Sequence, residues 1–291
     1  MNAPDTNDHK RGIVLMLIAM LLFTLNDAIG KWLVASYPVG QLLAIRSFAA
    51  LLVLIPMAWR NGDLQRIFSL ERPVLQLVRV LLVIAEVSCF YWAVKYLPLA
   101  DVFMFYLASP LFLTAFSVII LGQHVGLRRW AALLIGFSGV IFIFPPSDAI
   151  LSLPALIALA GSLALALMLT LARSLSASGG LTLITLQTLG VAVAGIATLP
   201  FAWVTPNLLD LGLLCLLGFV ATTAHFLMNS AVTAAPSAVV APFQYTSIVW
   251  AIILGYLIWG DFPETQALLG AALIVGSGLF VLYRENIKKK S

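Results

Sequence analysis

The sequence predicts an all-α membrane protein. Ten transmembrane helices form two inverted five-helix repeats, and both termini are cytoplasmic. Three observations carry this expectation. The 291 residues are 62% hydrophobic and only 10% charged, with a mean hydropathy of +1.06, whereas a soluble domain carries about 25% charged residues. The basic residues collect on one side of the apolar runs, and the two halves of the chain resemble each other. This composition excludes a soluble globular enzyme, a disordered chain and a free nucleic-acid binder. Each span needs about 20 apolar residues, so ten of them leave only short loops.

The first repeat covers residues 12–145 and follows a polar cytoplasmic segment, residues 1–11. Its helices are expected at Gly12–Val34, Gly40–Trp59, Val74–Tyr96, Leu99–Leu121 and Leu127–Phe144. The Gly12–Val34 run is full length with no small-residue cleavage site near its end, so a cleavable signal peptide is not expected. Helices of the second repeat, residues 146–283, are expected at Ile150–Ala172, Gly180–Trp203, Leu209–Ala234, Ala238–Trp259 and Glu264–Tyr283. Residues 284–291 form a basic cytoplasmic tail. All ten runs are continuously apolar, whereas a β-barrel shows alternating strands of about ten residues. Helices satisfy their own backbone groups, as hydrocarbon requires.

Orientation follows from charge. With a cytoplasmic N-terminus, Lys10, Arg11, Arg60, Arg66, Arg72, Arg128, Arg129, Arg173, Arg284, Lys288, Lys289 and Lys290 lie inside, twelve of the sixteen basic residues. Lys31 and Lys95 lie outside, and Arg46 and Arg79 fall within spans. That bias satisfies the positive-inside rule. The net charge of +4 therefore anchors topology and does not mark a nucleic-acid partner.

Ala93–Val102 aligns with Ala231–Val240 at an offset of 138 residues, and Leu133-Leu134-Ile135 with Gly139 aligns with Ala272-Leu273-Ile274 with Gly278 at an offset of 139. An odd number of spans per repeat forces the copies to insert with opposite orientation. Inverted repeats are the architecture of many secondary transporters, with the site near the midplane.

Further residues carry the resemblance to a family. They are Phe23-Thr24-Leu25-Asn26-Asp27-Ala28-Ile29-Gly30-Lys31, Gln41 to Arg46, Leu97-Pro98-Leu99-Ala100-Asp101 with Ser109-Pro110, Gly136-Phe137-Ser138-Gly139, Ala241-Pro242-Phe243-Gln244-Tyr245 and Trp259-Gly260-Asp261. Over nearly its whole length the chain resembles the EamA family of the drug/metabolite transporter superfamily. The Asn-Asp-Ala…Lys start and the Ala-Pro-Phe-Gln-Tyr helix resemble the branch containing riboflavin and S-adenosylmethionine transporters. Where that family often reads Gly-Glu, this chain has Gly122-Gln123 and Gly260-Asp261. The resemblance implies a secondary carrier of a small organic metabolite in a bacterial inner membrane.

Ionisable residues at membrane depth are rare and commonly functional. Asp27 and Arg46 lie at similar depths on consecutive antiparallel helices, about 1.5 Å of rise per residue from their ends, and an ion pair is expected there. Lys31, one turn after Asp27, competes for it. Glu86 sits near the middle of its helix, where burial disfavours the charged form, so it can carry a proton or hydrogen-bond a substrate. Arg79 is expected to snorkel to the interface. Asp101 begins the fourth helix, where a helix N-terminus favours an acid.

His225 and Asn229, with Gln244 and Tyr245, are expected to form one polar wall of a cavity. Trp92 and Tyr106, among Phe90, Tyr91, Phe103, Phe243 and Trp250, are candidates for stacking on a flat solute. Pro110 and Pro242 are expected to kink the fourth and ninth helices. Gly136, Gly139, Gly276 and Gly278 allow close packing of the fifth and tenth helices or a homodimer.

No metal site or cofactor is expected. Cys89 and Cys215 lie inside apolar runs without a CxxC spacing, and His9 and His124 fall outside the bilayer core. No Walker A pattern supports ATP hydrolysis, and no nucleophile–base set supports an intramembrane enzyme. The aromatic content favours uptake of a riboflavin-like solute. S-adenosylmethionine, a cationic drug, export of amino acids or metabolites, and a membrane scaffold are the alternatives.

Overall fold

A computed structural model describes residues 6–63, 72–122, 131, 134–140, 152–175, 178–235 and 237–290. The helices are α1 (Thr6–Val34), α2 (Val39–Arg60), α3 (Pro73–Tyr96), α4 (Leu99–Tyr106), α5 (Ser109–Leu121), α6 (Leu153–Ser174), α7 (Gly180–Thr198), α8 (Leu208–Ala234), α9 (Ser237–Val240), a 3₁₀ segment (Ala241–Tyr245), α10 (Thr246–Trp259) and α11 (Thr265–Lys290). Residues 134–140 are also helical. No strand occurs among the described residues. Eight candidate spans among them are long and apolar enough to cross a membrane, and Thr265–Phe280 is a shorter apolar helix. The chain is a multi-pass helical membrane protein.

Five predicted helices differ from expectation, and one of them, α7, ends at Thr198, five residues before the predicted Trp203. Helix α1 begins at Thr6, six residues before the predicted Gly12, and α11 continues through Lys290, so the basic residues after Tyr283 prolong a helix. The predicted Leu99–Leu121 helix is interrupted at Leu107 and Ala108. Pro110 has no N–H to give the carbonyl one turn back, and the chain tightens there. The Leu107 N–H reaches the carbonyls of Phe103 and Met104 at 2.9 and 3.2 Å, and the Ala108 N–H reaches Phe105 at 3.1 Å. The predicted Ala238–Trp259 helix is likewise interrupted, by the 3₁₀ segment around Pro242. Of the predicted Leu127–Phe144 helix, only residues 131 and 134–140 are described.

Contacts across the bundle give each helix its direction. At one end, the Lys31 end, the Tyr37 hydroxyl donates to Asp210 Oδ2 at 2.7 Å, Gln41 Nε2 donates to the Val204 carbonyl at 2.7 Å and Lys31 Nζ donates to the Leu97 carbonyl at 2.7 Å. At the other end Gly12 lies against Ala231 and Ala235, and Gln76 Nε2 donates to Ser178 Oγ at 3.2 Å. Helix α1 therefore runs toward the Lys31 end, and α6, which leads into Ser178, runs away from it.

The main interfaces join the halves of the chain: α1 on α8, α2 on α7 and α3 on α6. Small residues make these approaches possible. Gly195 abuts the backbone of Ala44, and Gly218 abuts the carbonyl of Arg46. Gly136 faces Ser277, and Gly139 faces Gly270 and Ile274, so the segment 134–140 lies on α11; Gly276 faces open space. Apolar side chains also cover the outside, as the membrane requires. Along α2, Phe48, Leu52, Ile55 and Trp59 form an exposed stripe, while Gln41 and Ser47 are buried.

Candidate functional site

A polar cluster lies inside the bundle where α1, α2, α3, α4 and α8 converge. Its hub is Tyr91 of α3, 1% exposed. Arg46 Nη1 donates to the Tyr91 hydroxyl at 2.6 Å, and Asn26 Nδ2 donates to it at 3.2 Å. The Tyr91 hydroxyl in turn hydrogen-bonds Asp27. Asn26 Nδ2 also reaches Asp27 Oδ1 at 3.0 Å. The guanidinium carbon of Arg46 stands 5.3 Å from the centre of the Tyr91 ring, a cation–π distance. Gly30 on α1 makes room for this ring, because a Cβ there would collide with it.

The expected direct Asp27–Arg46 ion pair is thus corrected. The two charges interact electrostatically, but Tyr91 stands between them and they form no ion pair within 4 Å. Nor does Lys31 compete for Asp27. Its Nζ points to Asp261 Oδ2 at 3.8 Å, to the Leu97 carbonyl and over the Trp259 ring at 4.9 Å. Asp101, in the first turn of α4, lies within electrostatic reach of Lys31 and Asp261.

Glu86, one turn before Phe90 on α3, interacts electrostatically with both Asp27 and Arg46. Its carboxylate has no hydrogen bond or ion pair among the described residues. The Tyr106 hydroxyl donates to the Glu86 backbone carbonyl at 3.1 Å, which fixes the last turn of α4 to this level. Phe90 meets Phe103 and Tyr106 edge-to-face at 5.8 and 5.2 Å, a favoured aromatic geometry.

His225 of α8 completes the ring. Its Nδ1 lies 2.8 Å from the Ala221 carbonyl, so that nitrogen carries the proton and Nε2 is left as an acceptor. Phe23 meets it edge-on at 4.8 Å, and Arg46 acts on it electrostatically. Asp27, Arg46, Glu86, Tyr106 and His225 are each only half-buried, although Asp27, Arg46, Glu86 and His225 lie well within helices and Tyr106 ends α4. Half-burial at that depth leaves these groups partly accessible between the helices.

The other expected site residues lie apart. Trp92 stacks obliquely on Tyr96 at 4.6 Å, near the Lys31 end. Asn229 and Gln244 are exposed, and Tyr245 lies over Gly278 of α11. The four-residue wall is not held together by hydrogen bonds; only His225 reaches the cluster. Arg79 does not snorkel. It is 4% exposed and donates to the Leu183 carbonyl at 3.2 Å and to Gln187 Oε1 at 2.8 Å.

Tyr91, expected only as one of the stacking aromatics, and Asn26, expected only as part of the family-bearing segment, are polar members of the site. Depth counting points to Tyr91, five residues from the end of its helix, near the level of Asp27 and Arg46. No group of three or more His, Cys, Asp or Glu that could hold a metal occurs among the described residues.

Residues 10–144 and 152–283 both match the EamA-like transporter family. The chain belongs to that family. This EamA-like protein is 23% identical over 281 residues to an S-adenosylmethionine uptake transporter of Rickettsia prowazekii (strain Madrid E), covering 96% of this chain and 94% of that one. It is 27% identical over 272 residues to a pseudopaline exporter of Pseudomonas aeruginosa, covering 91% and 94%. Identity to a riboflavin transporter of Rhizobium johnstonii is 26% over 283 residues, covering 96% and 93%. A solved crystal structure superposes on this EamA-like protein with a TM-score of 0.67 at 16% identity, covering 95% of this chain and 98% of that one. That likeness concerns the fold.

Proposed function

We propose that this EamA-like protein is a secondary carrier of the bacterial inner membrane for a small organic solute bearing a cationic group and a flat ring. Uptake of S-adenosylmethionine or a close analogue is the leading reading. The observation that carries it is the unpartnered Glu86 carboxylate beside Asp27 and Arg46. Asp27 and Arg46 offset each other through Tyr91, so Glu86 is the acid left to meet an incoming cation. The remaining Arg46 N–H groups suit a solute carboxylate, and Phe90 and Tyr106 suit a planar ring. A neutral flavin can offer Glu86 hydrogen bonds but no counter-charge. Riboflavin uptake, the reading favoured by aromatic content, is therefore second.

Alternating access is supported by the opposite directions of α1 and α6 and by the interruptions near Leu107 and Tyr245, which a 138-residue offset superposes. Both fit inverted repeats that rock about a central site, with discontinuous helices at its level. The basic-residue bias supports cytoplasmic termini.

The test is solute uptake and ligand-dependent thermal stability of the purified protein in proteoliposomes and detergent. S-adenosylmethionine should stabilise the wild type and be taken up. Glu86→Gln should keep the fold and lose uptake by about tenfold or more, the loss expected for about 1.4 kcal/mol of binding. Stabilisation by riboflavin alone, unchanged in Glu86→Gln, would transfer the assignment to the second reading.

A further inference from the structure

We propose that the junction of α3 and α7 binds the headgroup of a membrane phospholipid, a phosphodiester that also carries a hydrogen-bond donor. This site is separate from the central cluster and does not depend on the identity of the solute.

A guanidinium inside a membrane protein is costly without a counter-charge. Arg79 is 4% exposed, and its acceptors, the Leu183 carbonyl and Gln187 Oε1, are both neutral. No carboxylate pairs with it among the described residues. Its Nε–H has no acceptor among the described residues. The hydroxyl of Thr182, the residue before Leu183, is buried and unpartnered. So is Gln76 Oε1, one turn before Arg79 on α3, while the same amide holds Ser178 through Nε2. Two donors and one acceptor are thus left open in the first turns of two adjoining helices.

An oxyanion supplies charge to Arg79 and acceptors to its Nε–H and to the Thr182 hydroxyl; phosphate is a strong partner for guanidinium. Gln76 Oε1 needs a donor, which a glycerol hydroxyl or an ethanolamine ammonium provides. The place selects a lipid. These residues lie at the helix ends, where a headgroup sits, and basic pockets between transmembrane helices hold anionic headgroups. From the same turns, Val74, Leu77, Val78 and Leu81 form an exposed apolar strip along α3, a path for an acyl chain.

The experiment uses the full chain purified in a neutral detergent. Thermal unfolding and native mass spectrometry are run with phosphatidylglycerol, with inorganic phosphate and with neither. Phosphatidylglycerol should raise the wild-type midpoint by about 3 °C or more and appear as a bound adduct. Arg79→Gln should abolish shift and adduct, Thr182→Val should weaken both, and Arg79→Lys should keep part of each. Lys95→Gln, an exposed basic residue elsewhere, should change neither. Should Arg79→Gln fail to fold, the Thr182→Val and Arg79→Lys adducts decide. No wild-type shift or adduct, or an equal shift in Arg79→Gln, overturns the proposal. An equal shift from inorganic phosphate alone replaces the lipid by a soluble oxyanion and overturns it too.

Discussion

Arg46 reaches the Tyr91 hydroxyl at 2.6 Å, and that hydroxyl separates it from the carboxylate of Asp27. One phenol on α3 therefore joins the guanidinium of α2 to an amide and a carboxylate of α1. Tyr91→Phe keeps the ring over Gly30 but removes the Arg46 partner, while Asn26 and Asp27 keep each other. The expected cost is about 1–3 kcal/mol, that of unsatisfied buried polar groups, with solute uptake reduced about tenfold or more. Thermal unfolding and uptake measured on the same preparation check this. Unchanged uptake would remove Tyr91 from the site.

The Lys31 end depends more on a carbonyl than on an ion pair. Asp261 is 36% exposed and stands 3.8 Å from Lys31, and partly exposed pairs contribute less than about 1 kcal/mol. Lys31→Met also removes the 2.7 Å bond to the Leu97 carbonyl and the contact with the Trp259 ring. It should cost about 1–3 kcal/mol. Asp261→Asn should cost less than about 1 kcal/mol. A double-mutant cycle by chemical unfolding should give a coupling below about 1 kcal/mol, and a larger coupling contradicts this account.

Gly218 and Gly212 lie on the same helix in opposite situations. A Cβ at Gly218 would collide with the Arg46 carbonyl, and a Cβ at Gly212 meets nothing within 4 Å. Gly218→Ala should destabilise by about 1–3 kcal/mol and disturb Arg46. Gly212→Ala should be neutral or stabilise by up to about 1 kcal/mol, because alanine is the better helix former. Melting temperatures of the two variants distinguish these outcomes.

Tyr37, between α1 and α2, donates its hydroxyl to Asp210 Oδ2 at 2.7 Å. That bond raises the phenol above its ordinary value of 10.0. The sign follows from the protonated form being the one favoured by folding. Its stabilisation is complete below the ordinary phenol range and fades as pH rises through the raised value. Tyr37→Phe removes the effect. The stability gap between wild type and variant should be constant to about pH 9 and narrow above it. A gap that widens with alkalinity would refute the assignment of donor and acceptor.

The sequence alone determined that this is a multi-pass helical membrane protein, because hydropathy over twenty residues depends only on local composition. It also determined the family resemblance and placed Asp27, Arg46 and Glu86 at membrane depth, because depth is residue count times helical rise. The helix ends were less legible. Helix α1 gains residues before Gly12 and α11 gains residues after Tyr283, since polar residues can prolong a helix beyond its apolar stretch. The positions of Pro110 and Pro242 marked the two interrupted helices in advance.

Only the tertiary structure decided who meets whom. Helix rotation turns Tyr91 toward Asp27 and sends Trp92 to Tyr96. It turns Arg79 into the α3–α7 junction, where a long side chain near a helix end reads by sequence as a snorkelling one. Packing partners at another level draw Lys31 to Asp261 and leave Asn229 exposed one turn beyond the half-buried His225. These choices rest on how small residues such as Gly30 and Gly218 let particular faces approach. That relation joins residues far apart in the chain and leaves no local trace.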